Sequence, residues 1–309
     1  MAPKSKPVNF HLWSGSSPED LVVFRQGVKA IKNWPIKVHY SKSSVRQAIT
    51  AESEDRFFLA GTDKQRADSL VKLIRNKAVG EILCSRGGYG NLRILPLLDK
   101  MRITPAGKKR IWGYSDSTII QHYLYSRFGW SWVHSPMLCS HSFIDPSRKE
   151  KIEMNRIFIH RNFESTKKLK IVHQGDLKRG SYEKVLIGGN LMSLVSTFGS
   201  KWEPAPKQPY FLFIEDIGEA TYRLDRLLQM LSHSSMFKKC KGVILGHFTA
   251  CPGYKEVLRL WAREENIFLA SKLEMGHNSP NTPHPMGENI VLRVRNKDQA
   301  TLQFPDFGI

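Results

Sequence analysis

Long apolar runs are missing from this chain of 309 residues, and no stretch reaches the length a bilayer core demands, so no helical membrane anchor is expected. Cysteine is scarce. Cys84, Cys139, Cys240 and Cys251 form no CxxC pair and stand nowhere near histidine at metal-ligand spacing, which argues against a disulfide framework, a zinc site or any other metal. Free thiols in a reducing compartment are expected instead. The basic opening, Met1 to Trp13, turns polar by Ser14 without a signal-type apolar core, so a cytoplasmic location is expected. No GK[ST] follows a glycine loop and no GxGxxG occurs, so neither a P-loop nor a dinucleotide site is read and no cofactor is expected. Acidic residues are also few: 28 Asp+Glu against 47 Lys+Arg give a net charge of +19, a field that attracts polyanions or polycarboxylate substrates. The basic residues are nonetheless dispersed in short pairs such as Lys167-Lys168 and Lys238-Lys239. With no zinc-finger spacing, RGG tract or ribonucleoprotein signature beside them, neither nucleic acid nor membrane is expected as a partner.

What is present is a globular composition, 41% hydrophobic and 10% aromatic, in a chain longer than one core usually serves. Two domains follow from that length. Strands and helices alternate early: a strand over Val8 to Trp13, a helix over Leu21 to Asn33, a strand at Ile36 to Tyr40, a helix over Lys64 to Asn76, and strands at Val79 to Cys84 and around Ile111. This predicts an open parallel sheet whose ligands bind at the strand C-termini. From about His141 to Ser181 the pattern weakens and Lys, Arg and Glu dominate, as in a connecting segment. A second unit follows, with apolar runs at Leu186 to Asn190, Tyr210 to Ile214, Gly242 to Gly246 and Glu288 to Val294 and a helix over Thr221 to Ser232. The division is therefore 1–145 for the first domain, 146–180 for a linker and 181–309 for the second domain.

Three polar residues stand where chemistry can be presented. In Gly113-Tyr114-Ser115-Asp116 an apolar run breaks before a helical pattern, and a serine on such a strand-to-helix turn can be a nucleophile, with the following N–H groups facing an oxyanion. The alternative is that Ser115 and Asp116 merely cap the helix. A serine needs a base, and His277 follows Gly276 in a turn-rich loop at the end of an apolar segment, with His284 as a nearby competitor. A loop histidine bonded to a backbone carbonyl is the alternative there. Glu215 ends an apolar strand, where a partly desolvated carboxylate needs a partner, either a catalytic histidine or Arg223 or Arg226 in a plain ion pair. Arg86-Gly87-Gly88-Tyr89-Gly90 allows close backbone approach and can aim N–H groups into a site if Ser115 lies on the neighbouring strand.

Taken in order, CSRGGYG, GYSDST, LIGGNLMSLVSTFG, FLFIEDIGEATYRLDRLL, VILGHF and MGHNSPN make the chain resemble the LD-carboxypeptidase family of serine peptidases from about Val8 to about Leu302. The resemblance implies an α/β fold: an N-terminal Rossmann-like parallel sheet domain plus a smaller C-terminal β-rich α/β domain. It implies a triad of Ser115, Glu215 and His277 assembled across an interdomain groove, and an oxyanion hole from the N–H groups of Gly88 and Asp116. Arg86, Gly87 and Asn190 resemble substrate-binding positions lining the groove, whereas His284 matches no catalytic position. Leu12-Trp13-Ser14-Gly15-Ser16 departs from the family's usual small-residue loop, which bears on substrate fit near that loop. The implied activity is release of terminal D-alanine from murein tetrapeptides by cleavage of the L,D amide after meso-diaminopimelate, in peptidoglycan recycling or remodelling, by a homodimer. Two other readings stand beside it: a microcin-immunity peptidase acting on peptidyl or aminoacyl nucleotides, whose longer aromatic loop has no counterpart in the charged stretch from His141 to Ser181, and a non-catalytic basic binding protein.

Overall fold

The computed structural model describes residues 7–50 and 56–308, which divide into two compact units: residues up to Asn162 together with Gly308, and Phe163–Phe307. In the first unit the chain runs β1 (Val8–Trp13), α1 (Leu21–Ala30), β2 (Ile36–His39), α2 (Lys42–Ile49), α3 (Asp63–Arg75), β3 (Glu81–Cys84), α4 (Asn91–Lys100), β4 (Arg110–Gly113), α5 (Ser117–Phe128), β5 (Trp132–His134), α6 (His141–Ile144) and α7 (Arg148–His160). Its strands pair in the order β5, β4, β3, β1, β2, all parallel. A parallel sheet covered by helices is buried on both faces, which is why Glu81–Cys84 is buried at every position. The one acid in that strand, Glu81, is held by Arg110 on β4 and by the Trp112 indole N–H at 2.6 Å. Phe10, Trp112 and Phe158 meet edge to face or tilted, with ring centroids 5.0 to 6.0 Å apart, and seat α7 on the sheet. All of Ser117 to Leu124 is buried, so α5 is enclosed around its whole circumference and gives the turn before it a rigid base.

The second unit runs β6 (Ser165–His173), β7 (Gly180–Asn190), α8 (Leu191–Val195), β8 (Tyr210–Ile217), α9 (Thr221–His233), β9 (Cys240–Thr249), α10 (Tyr254–Glu264), β10 (Leu269–Ser271), β11 (His284–Met286), β12 (Glu288–Val294) and β13 (Gln299–Phe304). Seven strands close a barrel in the order β10, β6, β13, β12, β7, β8, β9. Its β7-β8-β9-β10 side is parallel, and the remaining pairs are antiparallel. Parallel strands need crossovers, supplied here by α8, α9 and α10, so the loops at the C-terminal ends of β7, β8 and β9 share one rim. This is the expected pairing of a parallel-sheet domain with a β-rich α/β domain. Among the described residues no helix is long and apolar enough to cross a membrane.

The stretch 146–180 differs from the linker read in the sequence. Ser147 and Glu150 form a capping box that starts α7, whose Met154, Ile157 and Phe158 are buried in the first unit. The next segment is β6, a barrel strand that buries Leu169 and Ile171 and exposes Lys168 and Lys170. The charge that suggested a connector is the solvent face of one helix and one strand, and the units part at Asn162 and Phe163.

Candidate active site

Ser115 follows β4 by two residues and has φ +64°, a left-handed conformation that a β-carbon makes costly. The turn is over-determined by its surroundings, since α5 is buried behind it and β3 runs beside β4 in register, with Leu83 opposite Trp112. That register brings the loop after β3 against the serine. A methyl group on Gly87 would lie 2.8 Å from Ser115 Cβ and 2.9 Å from its Oγ, so only glycine fits. Gly88, at φ +110°, packs equally tightly on Ser17, where an added Cβ would lie 2.3 Å from the hydroxyl oxygen. Among the described residues no protein acceptor stands against the N–H of Gly88 or of Asp116. Both belong to the segments that border Ser115, at the positive end of α5 in the case of Asp116.

Helix capping does not account for Ser115-Asp116. The Asp116 side chain makes no capping bond to α5. Its buried carboxylate instead accepts the Ser16 hydroxyl at 2.6 Å and the Asn91 N–H at 3.0 Å. Burial pushes its pKa up to about 6, against the opposing pull of Ser16, Asn91, Arg66 and Gly90. Arg86 is engaged locally, donating to Pro18 O at 2.8 Å and to Glu19 Oε1 at 3.3 Å, with its side chain about a third exposed.

In the second unit, His277 Nδ1 lies 2.7 Å from Glu215 Oε2, and the glutamate side chain is fully buried. Neither arginine proposed for Glu215 pairs with it: Arg223 pairs with Glu219 at 3.5 Å and the Arg226 guanidinium lies over the Tyr222 ring at 5.6 Å, while His284, the competitor of His277, is buried with its ring stacked 4.4 Å from that of Phe304. The pairing follows from the local backbone. Gly276, at φ +119°, sits so close to the glutamate that an added Cβ would come within 2.7 Å of Oε2. A bulge gives β9 one extra residue opposite Ile214 to Asp216. There Gly246 lets the Met275 carbonyl approach to what would be 2.5 Å from a Cβ, and the His247 N–H donates to the same carbonyl at 2.8 Å. Because Glu215 accepts only, Nδ1 carries the proton and Nε2 the basic lone pair. Burial alone would depress the His277 pKa, but the Glu215 charge and hydrogen bond, with Asp216 nearby, outweigh it and leave it raised.

Asn190 is opposite Glu215 in the β7–β8 register. Its Nδ2 donates to Asp216 Oδ1 at 2.9 Å, while its Oδ1 accepts the Ser193 N–H at 3.0 Å and caps α8. Asp216, with Ser16, Asn91, Gly246 and Gly276, is a contributor that the sequence reading did not single out. The available signal was an acid immediately following each candidate, as SD and as ED, at the end of an apolar run.

Two family models match the chain: the LD-carboxypeptidase N-terminal domain over residues 11–135 and the LD-carboxypeptidase C-terminal domain over 183–292. A probable murein peptide carboxypeptidase of Bacillus subtilis is 30% identical over 249 residues, covering 78% of this chain and 77% of that protein. The microcin C7 self-immunity protein of Escherichia coli is 28% identical over 324 residues, covering 93% of this chain and 90% of its own. The crystal structure of a muramoyltetrapeptide carboxypeptidase from Oxalobacter formigenes superposes with a TM-score of 0.79 at 24% identity, over 98% of this chain and 100% of that one.

Proposed function

This chain belongs to the LD-carboxypeptidase family, and from that premise we propose that it is a serine hydrolase that removes terminal D-alanine from murein tetrapeptides, with Ser115, His277 and Glu215 acting as one triad. The observation that carries the reading is the buried Glu215 carboxylate on His277 Nδ1, which fixes the tautomer whose Nε2 can take a proton. His277 Nε2 accepts the Ser115 hydroxyl proton as Oγ attacks the carbonyl carbon of the L,D amide. The N–H groups of Gly88 and Asp116 bind the oxyanion that forms. As the intermediate collapses, the imidazolium gives its proton to the leaving D-alanine amine. Water, deprotonated by the same histidine, then releases the acyl group and restores Ser115.

The net charge of +19 suits a substrate that bears several carboxylates, because it raises the local concentration of anions. Gly87 keeps the loop after β3 against the serine, and Arg86 and Asn190 are proposed to border the bound peptide. A second reading is supported by the 93% coverage of the chain by the microcin self-immunity relative. Competition between a murein tetrapeptide and an aminoacyl sulfamoyl adenylate tests the choice. Preferential release of D-alanine supports the murein reading, and preferential cleavage of the nucleotide conjugate supports the other.

A further inference from the structure

Two anchors of the proposed site, the half-buried Ser115 and the buried Glu215, are each followed directly by a buried aspartate, Asp116 and Asp216. Both aspartates are only 2% exposed, and neither is needed for proton transfer in the triad chemistry. Their hydrogen bonds run to the neighbouring loops. Asp116 Oδ2 takes the Ser16 hydroxyl from the loop after β1 and the N–H of Asn91, the first residue of α4, while Gly90 supplies another backbone N–H. Asn91 returns a second bond, Nδ2 to the Asp116 carbonyl at 3.1 Å, so the C-terminal end of the loop carrying Gly87 and Gly88 is laced to the serine turn. In the second unit Asp216 repeats the arrangement. Its Oδ1 accepts Asn190 Nδ2 and the Ile217 N–H, each at 2.9 Å, and its Oδ2 accepts the N–H of Met192 in the first turn of α8 at 2.9 Å.

We infer that Asp116 and Asp216 are paired positioning residues, whose ionised carboxylates hold the serine turn with its oxyanion loop and the glutamate strand end with its neighbouring helix. The inference rests on the triad reading for its catalytic consequence, but the two clasps are each complete within one unit. The donors decide the role of charge. Both oxygens of Asp216 accept N–H bonds, two on Oδ1 and one on Oδ2, and these bonds weaken when a proton removes the charge that strengthens them. The Asn91 and Gly90 N–H groups likewise favour the charged form of Asp116, while the Ser16 hydroxyl can turn. An asparagine at 216 must turn its NH2 against at least one of those N–H donors, and an asparagine at 116 removes the charge that its donors favour.

The charged and titratable groups around each clasp set when it opens. Asp116 faces Arg66 on α3, which favours its ionised form, and the Cys84 thiol on β3, itself pushed up to about 12 by burial. Asp216 faces Glu215 on its own strand, His277, and the Cys251 thiol, whose pKa burial also raises. Burial, with Glu215 adding to it at the second position, puts both carboxyls at about 6. Below that pH the clasps protonate in addition to His277.

The test uses the full chain and the variants Asp116→Asn and Asp216→Asn. Each variant is expected to lower kcat about 10²-fold, the size of effect that a misplacement near 1 Å produces, with KM little changed. Below pH about 6 the logarithm of wild-type kcat should fall more steeply than loss of a single proton allows, while either variant falls with a shallower slope. Circular dichroism at each pH confirms that the fold persists. Hydrogen–deuterium exchange at pH 7 reads the clasps without any substrate: Asp116→Asn should speed exchange in 85–93, and Asp216→Asn in 190–197. Unchanged exchange in those segments, wild-type kcat in the variants, or a one-proton acid limb in the wild type would each overturn the inference. Absence of murein-peptide turnover by wild type, with exchange altered as stated, would overturn the function and leave the clasps standing.

Discussion

His277 and Glu215 are joined by a 2.7 Å hydrogen bond from the imidazole to a carboxylate that no solvent reaches. The bond fixes which ring nitrogen carries the proton, and it stabilises the imidazolium that forms when Nε2 accepts another. Glu215→Gln keeps the shape but can place an NH2 against Nδ1, which selects the wrong tautomer. Turnover is expected to drop by roughly 10³ to 10⁴-fold, as in other triads that lose their acid. Steady-state kinetics beside an unchanged circular dichroism spectrum checks this, and a loss under tenfold would count against the assignment.

The pH dependence follows from the direction of the His277 shift. Its pKa is raised above the ordinary histidine value of 6.5, and only the neutral ring can serve as base, so kcat/KM should rise with pH through a midpoint above 6.5. Glu215→Gln removes the charge that holds the imidazolium and should move that midpoint downward. A wild-type midpoint well below 6.5 would contradict the account.

Stability should run the other way. Asp116 and Asp216 are raised by burial to about 6 from the unfolded value of 3.8, and His277 is raised as well. Groups raised in the folded state contribute stability that is full below their unfolded pKa and is lost as pH rises through the folded one. The two aspartates are expected to lower Tm as pH climbs from about 4 through 6, and His277 to lower it further above 6.5, while activity increases. Thermal melts of wild type and Asp216→Asn across that range test the sign, because the variant should lose part of the slope.

Two glycines touch the proposed machinery where no side chain can stand. Gly276→Ala would drive a methyl group to within 2.7 Å of Glu215 Oε2 at a φ of +119°, and Gly87→Ala would place one 2.9 Å from Ser115 Oγ. Strain at a left-handed position costs about 1–3 kcal/mol, so Gly276→Ala should lower both stability and turnover. Gly87 has an ordinary φ, and its alanine variant should lose turnover with a smaller change in stability. Urea denaturation and kcat measured on the same preparations separate the two effects.

Much of this arrangement was legible in the residues. Apolar runs ending at Cys84, Gly113 and Ile214 marked strands buried on both faces, and the polar residue just beyond such a run, Ser115 or Glu215, stood at a sheet edge. Segments with a solvated face were harder. β6 alternates Lys168 and Lys170 with Leu169 and Ile171, and α7 puts its charges outward, so hydropathy alone suggested a connector between domains although Ser147 and Glu150 spelled a capping box. Partner choice was not legible either. Glu215 had Arg223 and Arg226 only eight and eleven residues further along the chain, and the bulge in β9 and the close approach at Gly276 bring His277 to it instead. Asp116 and Asp216 escaped notice as side chains because their acceptor role depends on N–H groups from loops distant in sequence.

The most direct measurement is mass spectrometry of disaccharide-tetrapeptide incubated with the wild-type protein and with Ser115→Ala. The account predicts loss of one D-alanine with the wild type and an intact peptide with the folded variant. D-Alanine release at a comparable rate by Ser115→Ala would contradict it.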